Sequence, residues 1–392
     1  MTSHLDPVAL TKSLVQIKSV TPDAGGALDF IQNVLEQSGF SCSRYRFGSD
    51  EKSSEPSPHI DNLYARRGTQ SPNLCFAGHL DVVPAGDETK WKHDPWLAKQ
   101  QDGWLFGRGC VDMKGAIAAW ICALNRLNLD HICQDSSLSF LITGDEEGEA
   151  KYGTKPLLKA IYEKGERIDA CITGEPTSRD QLGDMIKIGR RGSIHFWLES
   201  FGRQGHVGYP HLADNAAHKL VKMLHLLEKW NIDQGSTHFE PSTLSITSID
   251  VDNVANNVVP GYAKAHFNIR FNDLQNDSSL NTQIEKKLSK YWVQGQDYKL
   301  SSNLSGESFI TPPGPLSKDL SVAIKNQTGL TTQFSTNGGT SDSRFIKNYC
   351  PVIDFGLVGK TMHQLNEAVP VEELEKLTEI YKDFIKIFLN IA

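Results

Sequence analysis

The strongest constraint on the fold is a change of rhythm along the chain. Up to about residue 186, short apolar runs alternate with helical patterns: NLYARRG, PNLCFAGH, the helix MKGAIAAWICALNRL, LSFLIT, the helix KYGTKPLLKAIYEKG and IDACIT. Strands separated by helices of roughly ten or more residues need crossover connections, which imply a largely parallel sheet covered by helices. From about residue 306 the same style returns, with a helix near LSKDLSVAIKNQTG, the strand PVIDFGLV and a closing helix VEELEKLTEIYKDFIKIFL. Between them the order is strand IKIGRRGSIHFWLESFG, helix NAAHKLVKMLHLLEKW, strands STLSITSID and AKAHFNIRFN, helix SLNTQIEKKLSKYW and strand DYKLSSNLS. That βαββαβ order is the ferredoxin-like split unit, in which the two middle strands pair antiparallel. The expected class is therefore α/β: a mixed, mostly parallel sheet built from residues 1–186 and 306–392, interrupted by a ferredoxin-like domain over 187–305.

Two domains also suit the length, because 392 residues exceed what one core of about 250–300 residues organises. The net charge of -7 and the absence of a Lys/Arg-rich patch argue against a nucleic-acid partner. Nothing approaches the roughly 20 consecutive apolar residues of a membrane span. The stretch MTSHLDPVALTKSLVQIKSV lacks a basic region followed by an apolar core and reads as an amphipathic helix starting near Asp6 and Pro7, so a cytoplasmic location is expected. Seven cysteines without a CxxC pair fit buried reduced thiols better than a disulfide framework or a thiolate metal site. SDEKSSEPSPH, residues 49–59, reads as a mobile loop, and a small-molecule partner is the expectation.

LITGDEEGEA places Asp145, Glu146 and Glu147 directly after a buried strand, where like charges repel and resist desolvation. Other polar residues fall at equivalent places. LCFAGHLD puts His79 and Asp81 past one strand, IDACITGEPT puts Glu175 past another, VIDFGLVGKTMHQ puts His363 beyond a fourth, and GRGCVDMKG puts Asp112 at a helix start. Ligands of open α/β sheets gather at the carboxyl ends of strands, and carboxylates are favoured at helix N-termini. Taken singly, each is most simply a solvated loop residue; their coincidence on one sheet edge points to a site. Two histidines with three carboxylates suit zinc, cobalt or manganese, and five ligands exceed one tetrahedral catalytic zinc, so two ions sharing a carboxylate is the better count. Asp81, two residues after His79, can orient that imidazole. One glutamate of the pair is then left over for proton transfer.

The segments GHLDVVPAGD, GRGCVDMKG, GDEEG, GEPT and MHQLNEAV, in this order over nearly the whole chain, resemble the di-zinc amidohydrolase family of aminoacylases, glutamate carboxypeptidases and amino-acid deacylases. The resemblance implies two zinc ions per subunit, replaceable by cobalt, with Asp112 bridging, His79 and Glu175 completing one site, and Glu147 and His363 the other. It implies that Glu146 is the general base and Asp81 the residue that orients His79. The inserted domain would be a dimerisation and lid domain of a homodimer, from which His206 in RQGHVGYP, rather than His195 or His211, reaches the oxyanion across the dimer. IKIGRRGSIHF, NNVVPG, FNIRFN and NGGTSDSRF resemble a branch acting on N-succinyl amino acids, which implies that Arg190, Tyr209, Asn256 or Asn257, Arg270, Gly339 and Thr340 surround substrate carboxylates. Arginine suits that job because its planar fork binds a carboxylate bidentately. Arg270 also reads as a solvent-facing strand residue, and Gly338 and Gly339 as a turn. A related deacetylase, aminoacylase or dipeptidase is the alternative within the family, and a silent metal-binding scaffold the alternative outside it. The departures are Glu149, Lys151 and Asn366, none at a ligand position.

Overall fold

The computed structural model describes residues 5–49 and 57–391, so most of the loop expected over 49–59 lies outside the described residues. Strands β1 (Ser41–Ser49), β2 (Ser57–Arg67), β3 (Asn73–His79), β4 (Ser137–Thr143), β5 (Ala170–Thr173) and β6 (Met185–Lys187) come first. Strands β7 (Gly192–Phe201), β8 (Thr243–Asp250), β9 (Tyr262–Phe271) and β10 (Tyr298–Gly306) follow, then β11 (Gln333–Ser335) and β12 (Val352–Asp354). The principal helices are α1 (Pro7–Gln16), α2 (Ala27–Gln37), α3 (Lys114–Asn125), α4 (Thr154–Glu163), α5 (Ala216–Glu228), α6 (Asp277–Leu288), α7 (Pro315–Thr328) and α8 (Val371–Phe388).

The chain divides into two units. One comprises Met1–Ile188, Thr311–Ser335 and Ser341–Ala392, the other Gly189–Ile310 and Thr336–Thr340. In the first, the large sheet runs β1-β2-β4-β3-β5-β12-β6-β11. Its centre, β4-β3-β5-β12, is parallel throughout, so four consecutive strands end on one edge. The seven residues of β3 and the seven of β4 are all buried, as expected of strands covered on both faces. Helix α3 is buried from Lys114 to Leu124, which accounts for its nearly unbroken apolar composition. Phe76 on β3 stacks on Trp120 of α3 at 4.9 Å, and Trp120 meets Tyr381 of α8 edge-on at 5.0 Å, tying sheet to both helices. α1 begins where expected: the Asp6 carboxylate accepts from Val8 N and Ala9 N, and Pro7 takes the first turn.

Two strands depart from the sequence reading. β1, SCSRYRFGS, pairs antiparallel with β2 at the sheet edge, and its polar alternation gives no apolar run to read. The segment IKIGRRGSIHF is split among three strands: β6 joins the large sheet beside β11, the chain enters the second unit at Gly189, where Gly189–Arg190 pairs with Phe309–Ile310, and β7 begins at Gly192.

The second unit carries the expected βαββαβ order as β7-α5-β8-β9-α6-β10, with an antiparallel sheet ordered β8-β9-β7-β10. Its core gathers Ile194, Phe196 and Leu198 of β7, Phe267 and Ile269 of β9, Leu220 and Leu227 of α5, and Leu280 and Ile284 of α6. All seven cysteines are free thiols. Among the described residues, no helix is long and apolar enough to cross a membrane.

Candidate metal centre

The carboxyl ends of the four parallel strands bring five of the candidate residues together. His79 closes β3, Glu146 and Glu147 follow β4, Glu175 follows β5, and His363 lies in the segment after β12. Asp112 sits two residues ahead of α3. The result is two groups whose ligand atoms lie within 4.8 Å of one another: His79, Asp112 and Glu147 in one, His79, Glu146 and Glu175 in the other. The Asp112 carboxylate stands between the two histidines, with Oδ1 3.2 Å from His79 Nε2 and Oδ2 3.2 Å from His363 Nε2. His363 Nε2 is also 2.8 Å from Glu147 Oε1.

The electrostatics of this cluster are those of a site short of positive charge. Burial penalises the ionised Asp112, but hydrogen bonds from His363 and His79 outweigh it and hold the carboxyl well below its usual range. The same contacts to Asp112 and Glu147 push His363 up to about 10. Burial alone would lower His79, yet Asp112, Glu146 and Asp81 reverse the sign and raise it. Glu146 is raised by desolvation first and by Glu175 second. Protons are thus being drawn onto the histidines to offset clustered carboxylates. A divalent cation does the same job without protons, and a mixed imidazole and carboxylate donor set at these spacings fits one.

Asp81 works differently from the expectation. The atom that meets His79 Nδ1 is the Asp81 backbone carbonyl, at 2.8 Å, so it is the main chain that fixes the tautomer and leaves Nε2 facing Asp112. The Asp81 carboxylate lies 3.8 Å from that nitrogen and instead accepts the backbone N–H groups of Glu146 (3.2 Å) and Glu147 (3.0 Å). It suspends the acidic loop by its amides. Its own carboxyl is pushed up to about 6 by burial, against the lowering from His79 and those two amides. Asp145, the first acid of the run, turns away and accepts from Tyr152 N at 2.9 Å.

Three residues that sequence reasoning passed over surround the centre. Glu367, fully buried, accepts from Gly109 N, Val111 N and Asp112 N and pairs with Arg108. Thus the anion that takes the free amides ahead of α3 is Glu367 and not Asp112. Lys114, also fully buried, donates to the carbonyls of Leu14 (3.0 Å) and Ile17 (2.9 Å) at the end of α1. Glu367 was in view inside MHQLNEAV, and the available signal was a charged residue followed at once by the apolar pair Ala368 and Val369.

In the second unit the candidates fall into groups. Arg190 is buried and donates from Nη1 to Gly339 O at 2.8 Å, with Thr340 next in the chain. Arg270 lies opposite Ser193 in the β7–β9 register, partly buried, its guanidinium pKa lowered by burial and then by Arg191. His206 is exposed, pairs through its backbone with Val258, and accepts from Gly208 N at Nδ1 (3.0 Å). Asn257 O accepts from Val207 N, Asn256 is exposed, and the exposed Tyr209 ring lies 5.6 Å from that of His206.

Residues 75–387 match Peptidase family M20/M25/M40. The chain belongs to that family. It is 50% identical over 381 residues to the succinyl-diaminopimelate desuccinylase of Rhodospirillum centenum, covering 97% of both chains. It is 47% identical over 389 residues to the enzyme of the same name from Ehrlichia canis, covering 99% of this chain and 100% of the relative. The fold matches that of an M20 family metallo-carboxypeptidase from Sulfolobus solfataricus, with a TM-score of 0.75, 16% identity and coverage of 98% and 99%. M20 membership places the large mixed sheet and the carboxylate-histidine cluster at its edge in a metallo-hydrolase.

Proposed function

We propose that this protein is a metal-dependent amide hydrolase that cleaves N-succinyl-L,L-2,6-diaminopimelate to succinate and L,L-diaminopimelate, a step of diaminopimelate and lysine biosynthesis. The observation that carries this reading is full-length identity of 47–50% to relatives named succinyl-diaminopimelate desuccinylase. The centre supports it: hydrolysis of an amide needs an activated water, an electrostatically stabilised tetrahedral oxyanion and a proton for the departing amine. Our reading assigns His79 and Glu175 to one ion, Glu147 and His363 to the other, and Asp112 to both, with zinc as the metal and cobalt a substitute. Bound there, such ions would supply Lewis-acid polarisation of the carbonyl and a lowered pKa for water.

Glu146 takes the proton of the attacking water and later gives it to the leaving nitrogen. Its raised pKa suits both halves of that exchange. The Asp81 carboxylate keeps Glu146 and Glu147 in register through their amides. For the substrate we assign the carboxylates to Arg190 and Arg270, with Tyr209, Asn256, Asn257, Gly339 and Thr340 completing the contacts. The test is steady-state hydrolysis of N-succinyl-L,L-diaminopimelate beside N-acetylornithine, with zinc present. A large kcat/KM preference for the succinyl substrate is expected; preference for acetylornithine would move the protein to another deacylase of the family, and no turnover of either would remove the reading.

We further assign the active species as a cytoplasmic homodimer, in which His206 of the partner subunit stabilises the oxyanion. Sedimentation of the purified enzyme during turnover checks this. An active dimer whose His206→Ala variant loses kcat is expected, whereas a monomer with full kcat would take His206 out of the reaction.

A further inference from the structure

Glu367 saturates its carboxylate with the turn that carries Asp112. Oε2 accepts from Arg108 Nη1 (2.7 Å) and Gly109 N (3.0 Å), and Oε1 from Val111 N (2.9 Å) and Asp112 N (3.2 Å). Four donors are about all that a carboxylate can take. Its backbone carbonyl accepts a fifth, Gly107 N, at 2.9 Å. Both partners are nearly sealed from solvent, Glu367 0% and Arg108 2% exposed. The carboxylate of this buried ion pair is satisfied as it stands, although Arg108 Nε has no hydrogen-bond partner, and removing one member of the pair leaves the other uncompensated.

The same pair reaches the other end of the centre. Glu367 follows His363 by four residues, and Arg108 Nη2 lies within hydrogen-bonding reach of His363 O (3.5 Å) and Pro84 O (3.4 Å). The Arg108 guanidinium is seated 5.2 Å over the Trp91 ring. His363 itself holds a left-handed backbone, φ +61°, a conformation that costs a non-glycine residue free energy and persists only where the surroundings impose it.

Building on the reading above, we propose that Arg108 and Glu367 are a positioning pair that joins the Asp112 turn to the His363 turn and thereby sets the affinity of the metal site made by Asp112, Glu147 and His363. Neither residue belongs to the groups that could hold an ion. They act through the backbones of two ligands, and displacing such supporting groups lowers metal affinity by about 10- to 100-fold. Asp112 is shared by both ions in that reading, but His363 serves one alone, and the His79 and Glu175 half has its own supports, the Asp81 carbonyl on His79 and the Gly174 N to Ala77 O bond (3.1 Å) beside Glu175, so the effect is unequal and larger for the ion assigned to His363.

Glu367→Gln is the informative variant, because it keeps the shape but turns an NH2 toward two N–H donors whichever way the amide is placed. Equilibrium dialysis with zinc alone should show two ions bound by the wild type, and in the variant one ion weakened about 10- to 100-fold and the other distinctly less. The cobalt-loaded variant should show one visible absorption component saturating at lower cobalt and the other only at excess, and excess zinc should recover part of kcat. Two ions held at wild-type affinity, or equal weakening of both, would overturn the proposal. Should Glu367→Gln fail to fold, Arg108→Lys keeps the charge but loses the fork to His363 O and should shift the ion assigned to His363 in the same direction. No shift there overturns it as well. A wild type that binds no pair of ions would instead sink the underlying reading of the centre.

Discussion

Replacing Glu146 with alanine is expected to lower kcat by about 10²- to 10⁴-fold, the usual contribution of a positioned proton-transfer group. At about 1.4 kcal/mol per factor of ten, that is roughly 3 to 5.5 kcal/mol of lost transition-state stabilisation. KM should change little, because the proton moves only as the bond order changes. Glu146→Asp should also be severely impaired, since shortening the chain withdraws the carboxylate from the reacting water. The decisive companion measurement is metal content. Glu146 lies within 4.8 Å of His79 and Glu175, so it is geometrically able to be a ligand. Two ions retained alongside lost turnover identify it as the base; an ion lost with the side chain would make it a ligand, and full activity would exclude both roles.

Removal of metal should have the larger effect still. Protein stripped by a chelator should hydrolyse no substrate and recover as zinc is titrated back. Its thermal stability should rise over the same titration, by about 4 kcal/mol once free zinc exceeds Kd a thousandfold. The pH dependence of binding has a definite sign. In the metal-free protein His363 is pushed up to about 10, and His79 is raised above its ordinary 6.5, so His363 is protonated at pH 7 and His79 inclines the same way. Ligation needs neutral imidazoles, so binding must expel these protons and affinity must climb with pH from neutrality toward about 10. Calorimetry in buffers of different ionisation enthalpy counts the protons, with one to two expected at pH 7. Turnover at full rate without metal, or affinity independent of pH, would contradict this account.

The features legible in the sequence were those that repeat a local rule. An apolar run ending in a charged residue, as in LCFAGHLD or LSFLITGDEE, announces a covered strand with its polar edge, and the parallel order of β4, β3, β5 and β12 puts those ends side by side. What escaped depends on directions that spacing does not encode. Asp81 stands two residues after His79 whether its carbonyl or its carboxylate faces the ring, and only the path of the chain assigns the first to His79 and the second to the loop amides. Glu367 is separated from Arg108 by 259 positions, a distance over which no periodicity carries information. β1 was illegible for a plainer reason: an edge strand alternates polar residues and lacks the apolar run that marks its neighbours.

Lys114 gives the amino-terminal helix a bearing on chemistry it does not perform. The residue that opens α3, two positions after Asp112, is fastened to the carbonyls of Leu14 and Ile17. Fraying of α1 would therefore strand the buried Lys114 amine beside the Asp112 turn, and the damage would be felt at the candidate centre. For anyone engineering this scaffold, a fusion or graft that loosens those two carbonyls would masquerade as an active-site lesion while every ligand remained in the sequence.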